Sequence, residues 1–302
     1  MVKVAIIGAG LMGCGLVQVF IEAGHSVNIT DLSPAALATV KSRIQDTLKG
    51  LGLPQDSIAR VFPVATIAEA VAKADIVIEA APEKLELKQN LFAEIEAAAP
   101  RDCILASNTS VIPITAVMAK VKHKDRALGT HWWNPPYLVP LVEVIQIAET
   151  SEAVISQTME LLERAGKVPV HVKKDVAGFI GNRLQHALWR EAISLVENGV
   201  CDAETVDLVV KNSFGRRLAV LGPLENADLV GTDLTLDIHN QVLADLEDSH
   251  MPSPYLKALV SEGKLGFKTN TGFRDWDENK KSALRTTVTN HLKLLNQILE
   301  LP

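Results

Sequence analysis

The chain is poor in cysteine, has no cationic excess and contains no long uninterrupted apolar run, and each shortage excludes something. Its 302 residues include three cysteines. Cys14, Cys103 and Cys201 are odd in number, far apart and flanked by apolar residues, a pattern of reduced thiols rather than of a disulfide framework. No Cys/His spacing resembles a zinc site, so no metal is expected. Lys and Arg total 30 against 36 Asp and Glu, a formal net charge of −6. The basic residues are scattered, so there is no electrostatic footprint for phosphate backbones, and nucleic acid is excluded as an expected partner. The opening M-V-K-V-A-I-I-G-A-G has no basic leader, and glycines interrupt it well short of a membrane-spanning length. The expectation is a cytoplasmic protein without a membrane partner. There is no internal repeat and no low-complexity tract.

What is present is alternation. Short β-branched runs at Val2–Ile7, Ser26–Thr30, Ile76–Ile78, Ile104–Ala106, Val142–Ile145 and Val168–Val172 read as strands of a parallel sheet. Amphipathic segments between them, such as Leu11–Ala23, Pro34–Leu51 and Leu85–Ala99, are long enough to cover both faces. This predicts an α/β protein with a doubly wound sheet. Beyond Asp175 the texture changes: Phe179–Asn198 reads as one long helix, and helical periodicity continues to a last helix over Lys280–Leu301. The expected division is residues 1–177 as a cofactor-binding domain and 178–302 as a mainly helical one.

Gly8, Gly10 and Gly13 form G-A-G-L-M-G between the first strand and the first helix. There the backbone amides of the turn, with Leu11 and Met12, and the helix dipole can hold a pyrophosphate, the signature of a Rossmann-type dinucleotide site. Asp31 closes the second strand, about twenty residues on, where a carboxylate accepts from the adenosine ribose hydroxyls. That favours NAD over NADP, whose 2′-phosphate would meet like charge. The plainer alternative for Asp31 is a helix cap ahead of Ser33 and Pro34.

Alcohol oxidation by a nicotinamide needs a base for the hydroxyl proton, which suits histidine. Most of the eight histidines, including His25, His123 and His250, sit in charged or helical contexts. His131 instead follows A-L-G-T and precedes W-W-N-P-P, a strand end leading into a turn. Glu143 lies inside the apolar P-L-V-E-V-I, which is costly for a carboxylate unless it is paired. Beside His131 it would hold one tautomer; the alternatives are a structural histidine and a glutamate facing solvent.

Several motifs in order, I-G-A-G-L-M-G, A-S-N-T-S, H-W-W-N-P-P, L-V-E-V, D-V-A-G-F-I-G-N-R and G-K-L-G-F-K, resemble the L-3-hydroxyacyl-CoA dehydrogenase family along nearly the whole chain. The resemblance implies His131 as general base and Glu143 as its orienting partner. It also implies that Ser110 and Asn182 bond the substrate oxygen and that Ser110 and Asn134 lie against the nicotinamide half of NAD. Glu83, Lys88 and Lys268 match family positions near the cofactor. It further implies a role in fatty acid metabolism and a homodimer formed through the helical domain.

Departures from the family pattern concern the substrate. The segment Ser33–Val64 looks shorter than the Lys-rich hairpin of thioester enzymes, and Val139 and Pro140 replace the usual Met-Lys before L-V-E-V. Arg216 and Arg217 stand where those enzymes tend to be apolar, and an arginine grips a carboxylate bidentately, which makes Arg217 a substrate-binding candidate. The substrate is therefore either a 3-hydroxyacyl-CoA or a free 3-hydroxy acid, as in the branch with gulonate, carnitine and pyridine-carboxylate dehydrogenases. Two other readings rank lower. A hydroxyisobutyrate-type enzyme would use a lysine base where this chain has Asn182. A non-catalytic, crystallin-like NAD-binding protein would have no use for His131, Glu143, Ser110 and Asn182 together.

Overall fold

The computed structural model describes residues 1–299. Eight strands form one sheet: β1 (Lys3–Ile7), β2 (Ser26–Thr30), β3 (Val61–Pro63), β4 (Ile76–Glu79), β5 (Ile104–Ser107), β6 (Ala127–Trp132), β7 (Leu141–Gln146) and β8 (Val168–Val172). Their spatial order is β3-β2-β1-β4-β5-β6-β7-β8, the doubly wound arrangement the strand–helix alternation predicts. β3, unmarked in the sequence, is a three-residue edge strand paired with β2.

One pair departs from the expected parallel sheet: β6 and β7 are antiparallel. The segment between them is a short turn through Asn134–Pro135, too brief for the crossover that parallel neighbours require. The register of this hairpin sets His131 directly opposite Glu143.

Helices α1 (Leu11–Glu22), α2 (Pro34–Ala38), α3 (Val40–Leu51), α4 (Ile67–Val71), α5 (Leu85–Ala98), α6 (Ile114–Val117) and α7 (Glu152–Arg164) accompany the sheet. The predicted helix at Pro34–Leu51 is two, parted at Thr39, whose hydroxyl bonds back to Ala35 and Ala36 carbonyls. Two buried clusters line the two faces. Phe20, Leu16, Ile6, Ile29, Ile44 and Leu48 belong to one, and Ala5, Val77, Phe92, Ile95, Leu105 and Ile145 to the other. Alternate residues of β1 thus serve opposite layers, as a pleated strand covered on both sides must.

The remaining helices are α8 (Gly181–Glu197), α9 (Ala203–Asn212), α10 (Pro223–Val230), α11 (Thr232–Val242), α12 (Pro254–Ser261) and α13 (Glu278–Ile298). The expected end of the last helix at Leu301 lies outside the described residues. The chain divides into two compact units: Met1–Arg183 with the segment from Thr289 onward, and Leu184–Val288. Within the first, Asn296 Nδ2 donates to Leu138 O at 2.8 Å and Lys293 Nζ to Gly50 O at 3.2 Å. Among the described residues, no helix is long and apolar enough to cross a membrane.

Candidate active site

The glycine-rich turn leaves β1 with Gly8 at φ +114, where a Cβ would lie 2.7 Å from Ala80 O. A Cβ on Gly13 would fall 1.8 Å from Gly8 O, so only glycine lets α1 start so close to the strand it follows. At Gly10, the N-cap of α1, a Cβ would meet nothing within 4 Å. The first intrahelical bond is donated by Cys14 N–H to Gly10 O, so the amides of Leu11, Met12 and Gly13 stand free at the positive end of the helix. Open space, free donors and positive potential together fit a pyrophosphate.

Asp31, at the carboxyl end of β2, accepts from Ala9 N–H at 2.6 Å and from Ser33 N–H at 2.7 Å. The cap of α2 is Ser33, whose hydroxyl accepts from Ala36 N–H. Asp31 therefore ties the glycine turn to the end of β2 and keeps further lone pairs for ribose hydroxyls. These residues fit NAD, which supplies a hydride acceptor when bound.

His131 is the last residue but one of β6, and its Nδ1 lies 2.7 Å from Glu143 Oε2, with both side chains buried. The other carboxylate oxygen accepts from Ile180 N–H at 2.8 Å and Gly181 N–H at 3.0 Å, at the start of α8. Burial raises the Glu143 carboxyl, but His131 and these two amides outweigh it and hold it below its ordinary range. An ionised Glu143 can only accept, so Nδ1 carries the proton and Nε2 is left with a free lone pair. The rings of Trp133 and Phe179 lie 5.3 and 5.6 Å from the imidazole and wall it in.

Ser110 and Asn182 are joined: Asn182 Nδ2 donates to the Ser110 carbonyl at 2.8 Å, leaving the Ser110 hydroxyl and one amide N–H of Asn182 without a partner among the described residues. The turn carrying Ser110 is held from below. Glu83 Oε1 accepts from Thr109 Oγ1 at 2.5 Å, Ser110 N–H at 2.9 Å and Val111 N–H at 3.2 Å. Burial raises the Glu83 carboxyl, but Thr109, Lys88 and the two amides hold it below its usual value. Lys88 is buried, and its three donors meet Glu79 Oε1 at 2.7 Å, Ala81 O at 3.2 Å and Glu83 Oε2 at 3.3 Å. Asn134 is exposed, two residues past β6.

Lys268, Arg216 and Arg217 belong to the second unit. All three are exposed, and neither arginine has an ion pair among the described residues. Residues that the sequence did not single out complete the frame. Glu79, buried at the end of β4, accepts from Ala81 N–H and Ser107 Oγ as well as from Lys88. Its signal was available: a carboxylate closing the apolar I-V-I-E, the same cue that marks Glu143. Asn108 Oδ1 accepts from Trp132 N–H at 3.0 Å, and Asp175 accepts from Ile114 and Thr115 amides at 3.0 and 2.7 Å. Both lie inside motifs quoted above, A-S-N-T-S and D-V-A-G-F-I-G-N-R, but nothing local marks either as a tie between distant segments.

The family model for the 3-hydroxyacyl-CoA dehydrogenase NAD binding domain matches residues 3–176, and that for the C-terminal domain matches residues 178–276. A 5-formyl-3-hydroxy-2-methylpyridine 4-carboxylate 5-dehydrogenase of Mesorhizobium japonicum is 35% identical over 304 residues, covering 99% of this chain and 98% of its own. A crystal structure of an enzyme of that name, described as an NAD+ dependent dismutase, superposes with a TM-score of 0.93 over 99% of each chain. An L-carnitine dehydrogenase of Streptomyces coelicolor is 39% identical over 76% of this chain and 73% of its own. The crystal structure of (S)-3-hydroxybutyryl-CoA dehydrogenase from Ralstonia eutropha superposes with a TM-score of 0.75 at 32% identity, over 92% of this chain and all of the other.

Proposed function

Because the chain belongs to the 3-hydroxyacyl-CoA dehydrogenase family, whose members are NAD-dependent enzymes acting on CH–OH groups, we propose that His131 is its general base and that its substrate is a small free acid. The observation that carries the first part is the buried His131–Glu143 pair, whose carboxylate also holds the Ile180 and Gly181 amides immediately before Asn182.

In this mechanism the Ser110 hydroxyl and the second Asn182 N–H hold the substrate oxygen. His131 Nε2 takes the proton of the substrate hydroxyl, and NAD, when bound, would supply the hydride acceptor for the carbon that bears it. Glu143 stabilises the imidazolium that forms and, held by Ile180 and Gly181, does not turn with it. In the reverse direction the protonated His131 returns the proton to the carbonyl oxygen. Gly8, Gly10, Leu11, Met12, Gly13 and Asp31 hold the adenosine and pyrophosphate side. Ser110, Asn134, Glu83 and Lys88 complete the cofactor site of the first unit, with Lys88 acting from beneath through Glu83, and the family resemblance assigns Lys268 to the cofactor as well.

The free-acid reading is supported by the whole-chain likeness to a relative whose named substrate carries a free carboxylate, a TM-score of 0.93 against 0.75 for the thioester enzyme. The unpaired, exposed Arg217 supports it too, as a bidentate partner for a carboxylate. We further propose a cytoplasmic homodimer. Three free cysteines suit a reducing compartment. Helices α8 to α11 contain no buried residue although Leu188, Trp189, Leu208, Val209 and Leu236 lie on them. Apolar surface on that scale needs cover, and a second copy of the same unit offers a self-complementary one.

The test follows NADH absorbance with 3-hydroxybutyryl-CoA beside free 3-hydroxybutyrate, gulonate, carnitine and pyridine carboxylates, with His131→Ala as control. Oxidation of a free acid with the thioester inert, and a raised KM in Arg217→Ala, is the expected result. Turnover of the thioester alone would overturn the free-acid reading and leave the base assignment standing.

A further inference from the structure

A cation stands at the glycine turn that no motif accounts for. Arg43, the fourth residue of α3, reaches back to Ala9, and its Nη1 donates to Ala9 O at 2.7 Å. Ala9 is fully buried between Gly8 and Gly10, and its N–H is the one that Asp31 accepts. The two polar ends of a single peptide residue in the turn are thus taken by a guanidinium and a carboxylate. Both charges act on Cys14 in the first turn of α1: burial pushes its thiol up, Arg43 lowers it and Asp31 raises it. Arg43 has no ion pair, and the bond to Ala9 is the one hydrogen bond recorded for its five donors among the described residues. It is half-buried, so its stem is fixed while its other donors point where the chain offers no acceptor.

We infer that Arg43 is a cofactor-binding residue on the adenosine side, and that with Asp31 it decides between NAD and NADP. The inference rests on the cofactor site described above and not on the identity of the substrate. A guanidinium bonded to the glycine turn, beside the carboxylate that meets the ribose, has donors free for the pyrophosphate and the adenosine ribose. Asp31 repels a 2′-phosphate at the same place. The site therefore holds a phosphate-binding arginine that Asp31 keeps from selecting NADP. Removing Asp31 should unmask it.

The test is fluorescence titration of NADH and NADPH on the full-length protein, with melting curves to confirm that each variant is folded. Arg43→Met, which keeps an unbranched apolar stem, should weaken NADH binding about tenfold, the loss of one charge-assisted hydrogen bond, with Arg43→Lys between it and the parent. Asp31→Ser should tighten NADPH binding at least about tenfold, and Asp31→Ser with Arg43→Met should lose that gain. NADH affinity within about twofold of the parent in both Arg43 variants would overturn the inference, Arg43→Lys deciding alone if Arg43→Met does not fold. A double variant that keeps the NADPH gain would overturn it equally. Because these titrations need no substrate, failure of the free-acid reading leaves them untouched.

Discussion

Residues 1–183 and residues 184–288 are both rich in leucine, valine and isoleucine, and they dispose of them in opposite ways. In the first unit every residue of β4, β5 and β6 is buried, and α1 hides nine of its twelve residues. In the second, Leu259 and Lys281 are the two buried residues, while Leu224, Leu229 and Leu236 are 80%, 73% and 60% exposed. An amphipathic pattern states that a face needs cover and is silent on whether the cover is the same chain or another. Chemistry follows the division. The buried dyad and the buried Glu79–Lys88 pair occupy the unit that has a core, because an ion pair shielded from water needs rigid walls to stay paired.

The largest expected effect tests what the compact unit is for. His131→Asn should lower kcat by roughly 10²–10⁴-fold while NADH still binds, since it removes the base and leaves the glycine turn intact. A kcat within tenfold of the parent would show that another group takes the proton.

Next comes the contrast itself. Phe20→Ala, in the core between α1 and the sheet, should cost about 3–5 kcal/mol by urea denaturation. Leu236→Asp, on α11, would change stability by no more than about 0.5 kcal/mol if that face were ordinary surface. In a homodimer it should instead reduce the particle mass to that of one chain in light scattering and lower the melting temperature. A parent protein that already runs as one chain would end the dimer proposal.

The smallest effects are in pH, and the two buried groups that carry them belong to the first unit. Lys167 is buried, donating to Pro136 O at 2.5 Å, and burial lowers it to about 8, partly opposed by Glu22. The folded state then sheds this proton before the unfolded chain does. Stability should rise with pH from about 8 towards the ordinary lysine value of about 10.4, and Lys167→Met should flatten that rise. Glu143 works at the other end: its depressed value contributes stability that is complete above about 4.3 and is lost as pH falls through its own lower value. Acid melts of Glu143→Gln should lack that loss, and a parent-like acid midpoint would assign it to other carboxylates.

How much of this was legible in the chain varied by element. The glycine turn and Asp31 could be read in place because both belong to one strand–turn–helix unit whose spacing is local. The boundaries of α1 and α5 fell within a residue of expectation for the same reason. The antiparallel β6–β7 hairpin was not anticipated, although its short connection was in view. Glu79 carried the same local cue as Glu143, a carboxylate in an apolar strand, but its partners, Lys88 and Ser107, nine and twenty-eight residues away, left no mark in the spacing. Arg43 resembled any solvated helix residue, since nothing in the sequence ties it to a carbonyl thirty-four residues earlier.

By itself, then, the sequence determined what periodicity and steric limits enforce locally: a doubly wound α/β unit, a nucleotide turn that only glycine can build, and a helical second half. The tertiary structure decided which charges meet. His131 and Glu143 are a pair because the hairpin register sets them side by side, and Glu143 is ionised because His131 and the two amides at the start of α8 outweigh its burial. The physical reason is range. Backbone preferences act over a few residues and leave their mark in spacing, whereas a buried charge is governed by whatever lies within a few ångströms of it, and only the folded chain determines that.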